Sequence, residues 1–454
     1  MYIYEGLKNY TENIKYRFHM PGHGGISDSH VLHELSQILK YDVTETPLTD
    51  NLYNPEGFIK ISEERITKGY ESRASVISAG GATLCINTAL ALAAGEGKKI
   101  IVDRRCHKSV FNSMVLLDLK PVYIYPKYTE NPAVNYIDCA ELDNILYENE
   151  DAACVIVTNP TYYGIMNNVK GLSEVCRKHN KLFIVDNAHG SHLIKWENAK
   201  FHPLKQGAHF CIDSLHKTLP ALTGGALLHS TVCDSADIKK AMSLFGSTSP
   251  SYLISLSVDL CFRFIESELE ERLIEKTDAL DKVKEFIEKN SDISVICGGR
   301  QEESYNFAKD PLRLTLDFYN SGVSAFNMAQ ILLKEGISVE MADDRYMVLI
   351  VSPLINQNSI MNFARTLIKN LRNNNQSFFE YNDIQKLRFK AALSPRMAAF
   401  APKRKISFTE SEGLVSGEDI TPYPPGIPII TKGEIITSEL IELYKDRIKT
   451  IEVI

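Results

Sequence analysis

The sequence predicts an α/β fold with a mostly parallel sheet, and two observations lead to this prediction. Short apolar runs recur along the first part of the chain, and several end in a polar residue, as at residues 100–103 and 182–186. Helix-prone segments separate these runs, the first of them at residues 84–94. Strands that alternate with helices form parallel sheets covered by helices on both faces, so the alternation indicates this architecture.

Two smaller units are predicted after this α/β region. At 454 residues the chain is too long for one simple core, so two or three domains are expected. Short strands flank a helix after residue 291, which is an α+β pattern, and a Pro-rich turn at Tyr423 lies in a small C-terminal unit. The predicted domains are residues 1–290, 291–375 and 376–454, with a polar linker at 373–377.

Composition and charge restrict the class of protein. The contents of 44% hydrophobic and 24% charged residues are those of a soluble globular protein. The formal net charge of −7 argues against a nucleic-acid or anionic-membrane partner. The nine cysteines form no C-x-x-C pair, and the sequence has neither a secretory signal nor an apolar run long enough for a membrane span. A soluble, cytoplasmic protein is therefore expected.

A lysine is the first candidate for chemistry. Lys217 follows an apolar run that ends at Ile212, and His216 stands directly before it. A lysine at the end of a buried strand loses solvation, which lowers the pKa of its amine and makes it a nucleophile that can form a Schiff base. The simpler interpretation is a surface lysine in a turn, where most lysines lie.

An aspartate is the second candidate. Asp186 ends the apolar run at residues 182–185, so its carboxylate is expected at the C-terminal end of a buried strand, where open α/β sheets bind ligands. A Schiff-base lysine with an aspartate is the pair that a pyridoxal phosphate site needs, because the aspartate keeps the pyridine nitrogen protonated. Asp186 alone would more often be a strand-end cap, but the order and spacing of the two motifs favour the cofactor site.

Four separated motifs make the chain resemble the bacterial ornithine/lysine/arginine decarboxylases. They are Met-Pro-Gly-His at 20–23, Asp-Asn-Ala-His-Gly at 186–190, Ser-Leu-His-Lys-Thr-Leu at 214–219, and Tyr-Pro-Pro-Gly-Ile-Pro at 423–428 followed by Gly-Glu at 433–434. The resemblance covers nearly the whole chain. It implies a pyridoxal phosphate enzyme of the aspartate-aminotransferase fold, with a PLP-dependent-transferase-like large domain. The chain is similar to a short form without the family's N-terminal wing, so large ring assemblies are not expected.

The resemblance also implies a set of cofactor residues. His107 would stack on the pyridoxal ring, and the alternative is that it only caps the next helix. Residues 81–83 open a helix whose N-terminus would hold the phosphate, although such a turn is usually a tight turn only. Residues 248–249 would reach the phosphate of the partner subunit in a homodimer, or belong to a helix N-cap cluster. The predicted catalytic residues are Lys217, His107, Asp186 and His216, and the other cofactor residues are Gly81, Ala82, Thr83, Ala188, His189, Ser214, Thr248 and Ser249.

The predicted reaction is decarboxylation of a basic amino acid, with arginine slightly ahead of lysine and ornithine, in polyamine biosynthesis. The cationic end of a buried substrate needs a carboxylate partner, and the candidates are Glu45, Asp50 and Glu340. Arg396 is a candidate for holding a carboxylate, since a guanidinium matches its shape. No metal is predicted, because histidine pairs such as His19 and His23 lack a third ligand nearby.

Other functions stay open at this point. Transamination or a lyase reaction on the same fold would need the same lysine and aspartate, and a catalytically silent, cofactor-binding regulatory protein is a further alternative. Four positions depart from the pattern of the resembled family and bear on the choice of substrate. They are Gly24 for the usual lysine, Asn187 for glutamate, Gly224 for glutamine and Met397 for glutamate.

Overall fold

The structure is a computed structural model that describes residues 1–25, 33–300, 304, 306–372, 387–421 and 427–454. Some predictions fall outside these residues. They are the linker at 373–377 and the first four residues of the Pro-rich motif, 423–426.

The α-helices of the described residues are numbered in chain order. They are α1 (Ile3–Asn13), α2 (Ser36–Leu39), α3 (Phe58–Tyr70), α4 (Gly81–Ala93), α5 (Lys108–Leu116), α6 (Cys139–Glu148), α7 (Val169–Lys178), α8 (Leu215–Thr218), α9 (Ser235–Met242), α10 (Tyr252–Ser267), α11 (Leu269–Asn290), α12 (Ala325–Lys334), α13 (Gln357–Arg372), α14 (Pro395–Phe400) and α15 (Ser438–Tyr444). Short 3₁₀ turns lie at His33–Leu35, Ser191–Ala199, Pro203–Gln206 and Phe408–Glu410.

The β-strands are numbered in the same way. They are β1 (Ala74–Ser78), β2 (Lys99–Asp103), β3 (Lys120–Ile124), β4 (Lys127–Tyr128), β5 (Asn135–Tyr136), β6 (Cys154–Thr158), β7 (Ile165–Asn167), β8 (Leu182–Asp186), β9 (Phe210–Asp213), β10 (Ala226–Ser230), β11 (Ser294–Cys297), β12 (Phe307–Lys309), β13 (Arg313–Asp317), β14 (Met341–Ala342), β15 (Tyr346–Ile350), β16 (Arg404–Ser407) and β17 (Thr450–Val453).

The chain divides into two compact units. Unit 1 contains Met1–Ala93 and Phe183–Leu273, and unit 2 contains Ala94–Leu182 and Ile274–Ile454. Each unit combines two separate stretches of the chain, whereas each of the three predicted domains is one continuous stretch. The limits of those domains stay a prediction.

The strands of unit 1 lie side by side in the order β1, β10, β9, β8. β8 and β9 run parallel, whereas β10 is antiparallel to both β1 and β9. Every residue of β1, β9 and β10 is buried. Strands that are buried on both faces read as continuous apolar runs, which explains why these segments show little alternation. β8 and β9 therefore bring their carboxyl ends, and the residues that follow them, to the same edge.

The strands of unit 2 form several groups. β2 pairs in parallel with both β3 and β6. A separate sheet has the order β11, β13, β15, β14 and is antiparallel. These pairings, with β8 and β9 of unit 1, confirm the predicted mixed α/β fold in which parallel strands dominate the large domain.

A buried arginine of unit 2 is hydrogen-bonded to the C-terminal segment around Ile429 of the same unit. Arg104 follows the last residue of β2, and its guanidinium donates to the carbonyls of Pro428 and Ile429, each at 2.9 Å. It also donates to the buried carboxylate of Glu434 at 3.1 Å. Because a buried guanidinium needs a charge partner and hydrogen-bond acceptors, these three bonds restrict the position of the segment around Ile429.

Two details of the fold differ from the expectation. The long helical pattern that the sequence shows after residue 252, up to about Asn290, forms two helices, α10 and α11, which are separated at Glu268. β10 was not predicted, and it runs antiparallel to β9. Among the described residues, no helix is both long and apolar enough to cross a membrane.

Candidate active site

Lys217 lies immediately beyond the carboxyl end of β9. The strand ends at Asp213, Ser214 begins the single turn of α8, and the backbone N–H of Lys217 donates to the Ser214 carbonyl at 3.1 Å. The side chain is partly buried, and its Nζ lies 3.1 Å from Nε2 of His189. Lys217 thus lies at the end of a strand, where the sequence placed it, and its amine is next to His189.

Asp186 is the last residue of β8 and is only 3% exposed. Its Oδ1 accepts a hydrogen bond from the backbone N–H of Ala188 at 3.2 Å. Burial raises the pKa of Asp186, and the positive charge of Lys217 opposes this rise. The structure therefore brings the carboxylate and the amine within electrostatic reach of each other, at the ends of two parallel strands.

His216 connects α8 with the turn that leads into β10. Its Nδ1 lies 3.3 Å from both the Gly225 carbonyl oxygen and the Gly224 nitrogen. When Nδ1 carries the proton it donates to the Gly225 carbonyl, and when it does not it accepts from the Gly224 N–H. Burial lowers the pKa of His216, and the charge of Lys217 acts in the same direction. His216 is therefore a neutral imidazole near pH 7 that holds the turn in place.

The first turn of α4 is hydrogen-bonded to the loop at Gly224, which leads into β10. The N–H of Gly81 donates to the Gly224 carbonyl at 2.9 Å, and Ser78 Oγ donates to the Gly81 carbonyl at 3.0 Å. Ala82 is partly buried and Thr83 is exposed at this helix start. A helix of 13 residues with small residues in its first turn presents backbone N–H groups and a partial positive charge to an anion.

These elements form one arrangement within unit 1. It consists of an amine, a buried carboxylate and a helix N-terminus that is linked to the lysine-bearing segment through a single turn. A sequence model described as "Orn/Lys/Arg decarboxylase, major domain" matches residues 2–302. The chain belongs to the Orn/Lys/Arg decarboxylase family.

Similar proteins agree with this assignment. The chain is 31% identical to an uncharacterized protein, YaaO, of Bacillus subtilis, over 97% of this chain and 92% of that protein. It is 26% identical to an arginine decarboxylase of the same organism, over 96% of this chain and 91% of that protein. The crystal structure of the lysine decarboxylase LdcF of Francisella novicida superimposes with a TM-score of 0.82 at 21% identity, and covers 100% of this chain and 80% of that one. The expected family, its fold and the class of pyridoxal-phosphate-dependent decarboxylase are confirmed.

Three further predicted cofactor residues are His107, Thr248 and Ser249. His107 belongs to unit 2, where it is the N-cap of α5 and its Nδ1 accepts from the Ser109 N–H at 3.2 Å. The alternative role as a helix cap is thus present, and ring stacking stays a prediction. Thr248 and Ser249 are exposed, while the N-cap of α10 is Ser251. Their exposure leaves them accessible to a second subunit.

The four predicted substrate residues have different surroundings. Asp50 accepts hydrogen bonds from four backbone N–H groups, those of Asn51, Glu56, Gly57 and Ile59, at 2.8–3.0 Å. A carboxylate has about four lone-pair sites, so these four bonds occupy the acceptor sites of Asp50 and fix its loop and the start of α3. The geometry argues against the proposed contact between Asp50 and a substrate cation.

The guanidinium of Arg396 is also engaged. It donates to the Leu116 carbonyl at 3.0 Å, at the C-terminal end of α5, and so neutralises the negative end of that helix. Glu340 is exposed and accepts from the hydroxyl of Tyr162 at 2.5 Å. Glu45 accepts from Thr44 Oγ1 at 2.8 Å and lines a cavity of about 850 Å³ with residues of α1. Of the four residues, Glu45 and Glu340 keep carboxylate oxygens for a further partner.

Three departures from the family pattern have a structural reason. Gly224 has a φ of +95°, and a Cβ there would lie 3.2 Å from Cδ1 of Ile254, so a glutamine would strain this turn. Asn187 is fully buried, and its Nδ2 donates to Oδ1 of Asp213 at 2.6 Å. A glutamate at position 187 would place a second carboxylate against Asp213. Gly24 also has a positive φ, of +58°, which disfavours a lysine there. Met397 is 62% exposed on α14, and this departure has no explanation in the described residues.

Sequence reasoning missed the residues behind this edge of the sheet. Asp213 ends the apolar run of β9 as Asp186 ends that of β8, but no role was assigned to it. In the structure it lies against two buried histidines, His202 and His229. The strand-end signal could have identified Asp213, whereas its histidine partners come from distant parts of unit 1.

Proposed function

We propose that this decarboxylase removes the α-carboxyl group of a basic amino acid, with pyridoxal phosphate carried on Lys217. Arginine is the first candidate substrate, ahead of lysine and ornithine. One observation carries the proposal. Lys217, just after β9, has its Nζ 3.1 Å from Nε2 of His189, and the buried carboxylate of Asp186 ends the adjoining parallel strand β8. Relatives named as arginine decarboxylases, which match over nearly the whole chain, support the choice of substrate.

The residues fit this cofactor in three respects. A primary amine suits an aldehyde carbon, and a helix N-terminus suits a phosphate dianion. The third respect concerns Asp186, because a buried carboxylate with a raised pKa is stabilised when a cationic ring nitrogen lies next to it. When bound, the cofactor supplies a protonated ring that takes up the electron pair left at Cα as CO₂ departs.

The side chains then have separate tasks. Asp186 holds a proton on the ring nitrogen. His189 exchanges a hydrogen bond with Lys217 Nζ and so limits the positions of the amine. Lys217 returns a proton to Cα, with His216 as the alternative acid, although the neutral state of His216 favours the lysine. His107 is proposed to cover one face of the ring.

We further propose a cytoplasmic homodimer with shared active sites that acts in polyamine biosynthesis. The exposed residues Thr248 and Ser249 are expected to reach the phosphate of the partner subunit. Hydroxyl groups are suitable ligands for phosphate oxygens, and exposure leaves these two residues available.

A panel of amino acids tests the proposed reaction. Purified protein with added pyridoxal phosphate is incubated with arginine, lysine, ornithine, leucine and methionine, and CO₂ and amine are quantified. We expect equal amounts of CO₂ and amine, with arginine turned over best. Best turnover of leucine or methionine would contradict a cationic substrate, and keto-acid formation without CO₂ would contradict decarboxylation.

A further inference from the structure

A cluster of buried polar side chains lies behind the carboxyl ends of β8 and β9 in unit 1. It contains one carboxylate, two imidazoles, a hydroxyl, an amide and a phenol, and all of these residues are buried. Its members are Asp213, His202, His229, Ser75, Asn187 and Tyr70. We call this group the Asp213 cluster.

The strand register explains why these side chains meet. Ser75 of β1 is opposite His229 of β10, which in turn is opposite Cys211 of β9. Because side chains alternate along a strand, Asp213 shares the face of Cys211. Asp186 is paired with Ile212 and so belongs to the other face, whereas Asn187, the next residue, returns to the face of Asp213.

The contacts of the Asp213 carboxylate are close. Nε2 of His202 lies 3.2 Å and Nε2 of His229 lies 3.3 Å from Oδ2, and Oδ1 accepts from Asn187 at 2.6 Å. On the far side of the cluster, Nδ1 of His229 lies 2.7 Å from Ser75 Oγ. The ring of Tyr70 stacks on His229 with 4.1 Å between centroids.

The two histidines keep this carboxylate charged. Burial would raise the pKa of Asp213, but its interactions with His202, which is hydrogen-bonded to it, and with the nearby His229 outweigh burial and hold the pKa well below the usual range. A buried charge without such partners would be strongly destabilising. Asp213 is therefore a fixed anion at the base of the proposed active site.

A metal centre is the alternative use of this cluster. Ligand atoms of His202, Cys211 and Asp213 lie within 4.8 Å of one another. However, burial, and then the charge of Asp213, raise the pKa of the Cys211 thiol well above its usual range. A thiol ligand must lose its proton, and His202 is already hydrogen-bonded to Asp213, as His229 is to Ser75, so hydrogen bonds explain the cluster without a metal.

The Asp213 carboxylate thus connects the segment that carries Asp186 with the segment that carries Lys217. Asn187 directly follows Asp186, and Asp213 directly precedes Ser214, whose carbonyl holds the backbone of Lys217. We propose that the hydrogen bond from Asn187 to Asp213 is a positioning contact that aligns the Asp186 carboxylate with Lys217. This inference rests on the proposed function, and it assigns roles to Asn187 and Asp213 that act through their neighbours.

The test compares two substitutions that each remove one hydrogen bond from the cluster. Asn187→Leu is nearly isosteric and removes the link to Asp213, whereas the matched control Ser75→Ala removes the bond to His229 and leaves that link intact. Three quantities are measured with pyridoxal phosphate bound. They are kcat and KM for the best substrate, the midpoint of the pH titration of the visible absorbance, and the Kd for the cofactor.

We expect Asn187→Leu to lower kcat by about tenfold to a hundredfold with little change in KM, because small misplacements of reacting groups have effects of this size. The titration midpoint should also shift, since it depends on the distance from Asp186 to the cofactor. Ser75→Ala should lower the Tm but leave kcat and the midpoint as in the wild type. If Asn187→Leu does not fold, Asn187→Ala, which also removes the donor to Asp213, replaces it in the same comparison, with the same expected changes of kcat and titration midpoint.

Equal kcat and equal titration midpoints in the wild type and the Asn187 variant would overturn the positioning role. A loss of kcat in both variants, in proportion to their loss of Tm, would do the same, because it would indicate a structural role only. The proposed function fails separately. A wild type that binds the cofactor but releases no CO₂ refutes the reaction, while the shift of the midpoint still supports the alignment.

Discussion

Nζ of Lys217 lies 3.1 Å from Nε2 of His189, and the two residues follow neighbouring parallel strands. The contact joins the segment after β9 to the segment after β8, which also carries Asp186. A lysine that is partly buried and directed by an imidazole has few positions open to it. Such restriction is what a residue that carries a cofactor requires, because reaction rates depend on alignment.

Replacing Asp186 by asparagine should leave the cofactor bound but remove most of the turnover. The substitution removes the charge that keeps the ring nitrogen protonated, so kcat should fall by about a thousandfold or more. Cofactor content is measured by absorbance and kcat by CO₂ release. A variant within a few-fold of the wild type would show that Asp186 is not the partner of the ring.

The same substitution should stabilise the cofactor-free protein at neutral pH. Because burial raises the folded-state pKa of Asp186, its contribution to stability is present below the ordinary carboxyl pKa of about 3.9 and is lost as pH rises through the raised value. The advantage of Asp186→Asn in urea unfolding should therefore grow from pH 4 towards pH 7. Loading with pyridoxal phosphate should reverse its sign. An advantage that does not change with pH would contradict the desolvation of Asp186.

The carboxylate that binds the substrate cation should be found by neutralising Glu45 and Glu340 separately. Change of the true partner to glutamine should raise KM for arginine by about tenfold or more, since breaking a buried charge pair costs about 2 kcal/mol or more. KM for the uncharged analogue citrulline should change little. Equal changes for both compounds would argue against charge recognition.

Asp50→Asn is the matched control for these two variants. Its carboxylate is committed to four backbone N–H groups, so the substitution should lower the free energy of unfolding by about 1 kcal/mol. The ratio of KM values for arginine and citrulline should stay as in the wild type. A changed ratio would return Asp50 to the substrate site.

Shared active sites should appear in a subunit-mixing experiment. Lys217→Ala subunits are mixed with subunits that carry Thr248→Ala and Ser249→Ala, and each preparation alone serves as the control. Random exchange should restore about a quarter of wild-type activity, because half of the dimers are mixed and each has one intact site. No recovery despite demonstrated exchange, or a fully active monomer, would refute the shared site.

The strand ends of the fold were predictable from the sequence. Lys217 and Asp186 each follow a buried apolar run, and parallel strands bring such ends to one edge whatever lies between them. The antiparallel direction of β10 was not predictable, because its run is as fully buried as that of β9, which pairs in parallel with β8. Burial on both faces removes the alternation that would distinguish them.

Hydrogen-bond partners that come together only when the chain folds were not predictable. Sequence gives the charge of Asp50 but not the loop that surrounds it with N–H groups, so its carboxylate looked available. It likewise gives the strand-end position of Asp213, whereas His202 and His229 reach that residue only through the packing of unit 1. Hydrogen-bond saturation and long-range pairing decide the roles of these residues, and neither is a property of a local pattern.

The attachment of the cofactor to Lys217 is tested most directly by borohydride trapping. Wild-type protein loaded with pyridoxal phosphate is expected to be yellow. It is reduced with borohydride and digested, and the peptide that carries the cofactor mass is sequenced by mass spectrometry. Lys217→Ala should abolish the label, whereas Lys205→Ala, which removes a partly exposed lysine paired with Glu71, should retain it. We predict a single labelled peptide with the modification on Lys217, and a label on any other lysine would contradict the account.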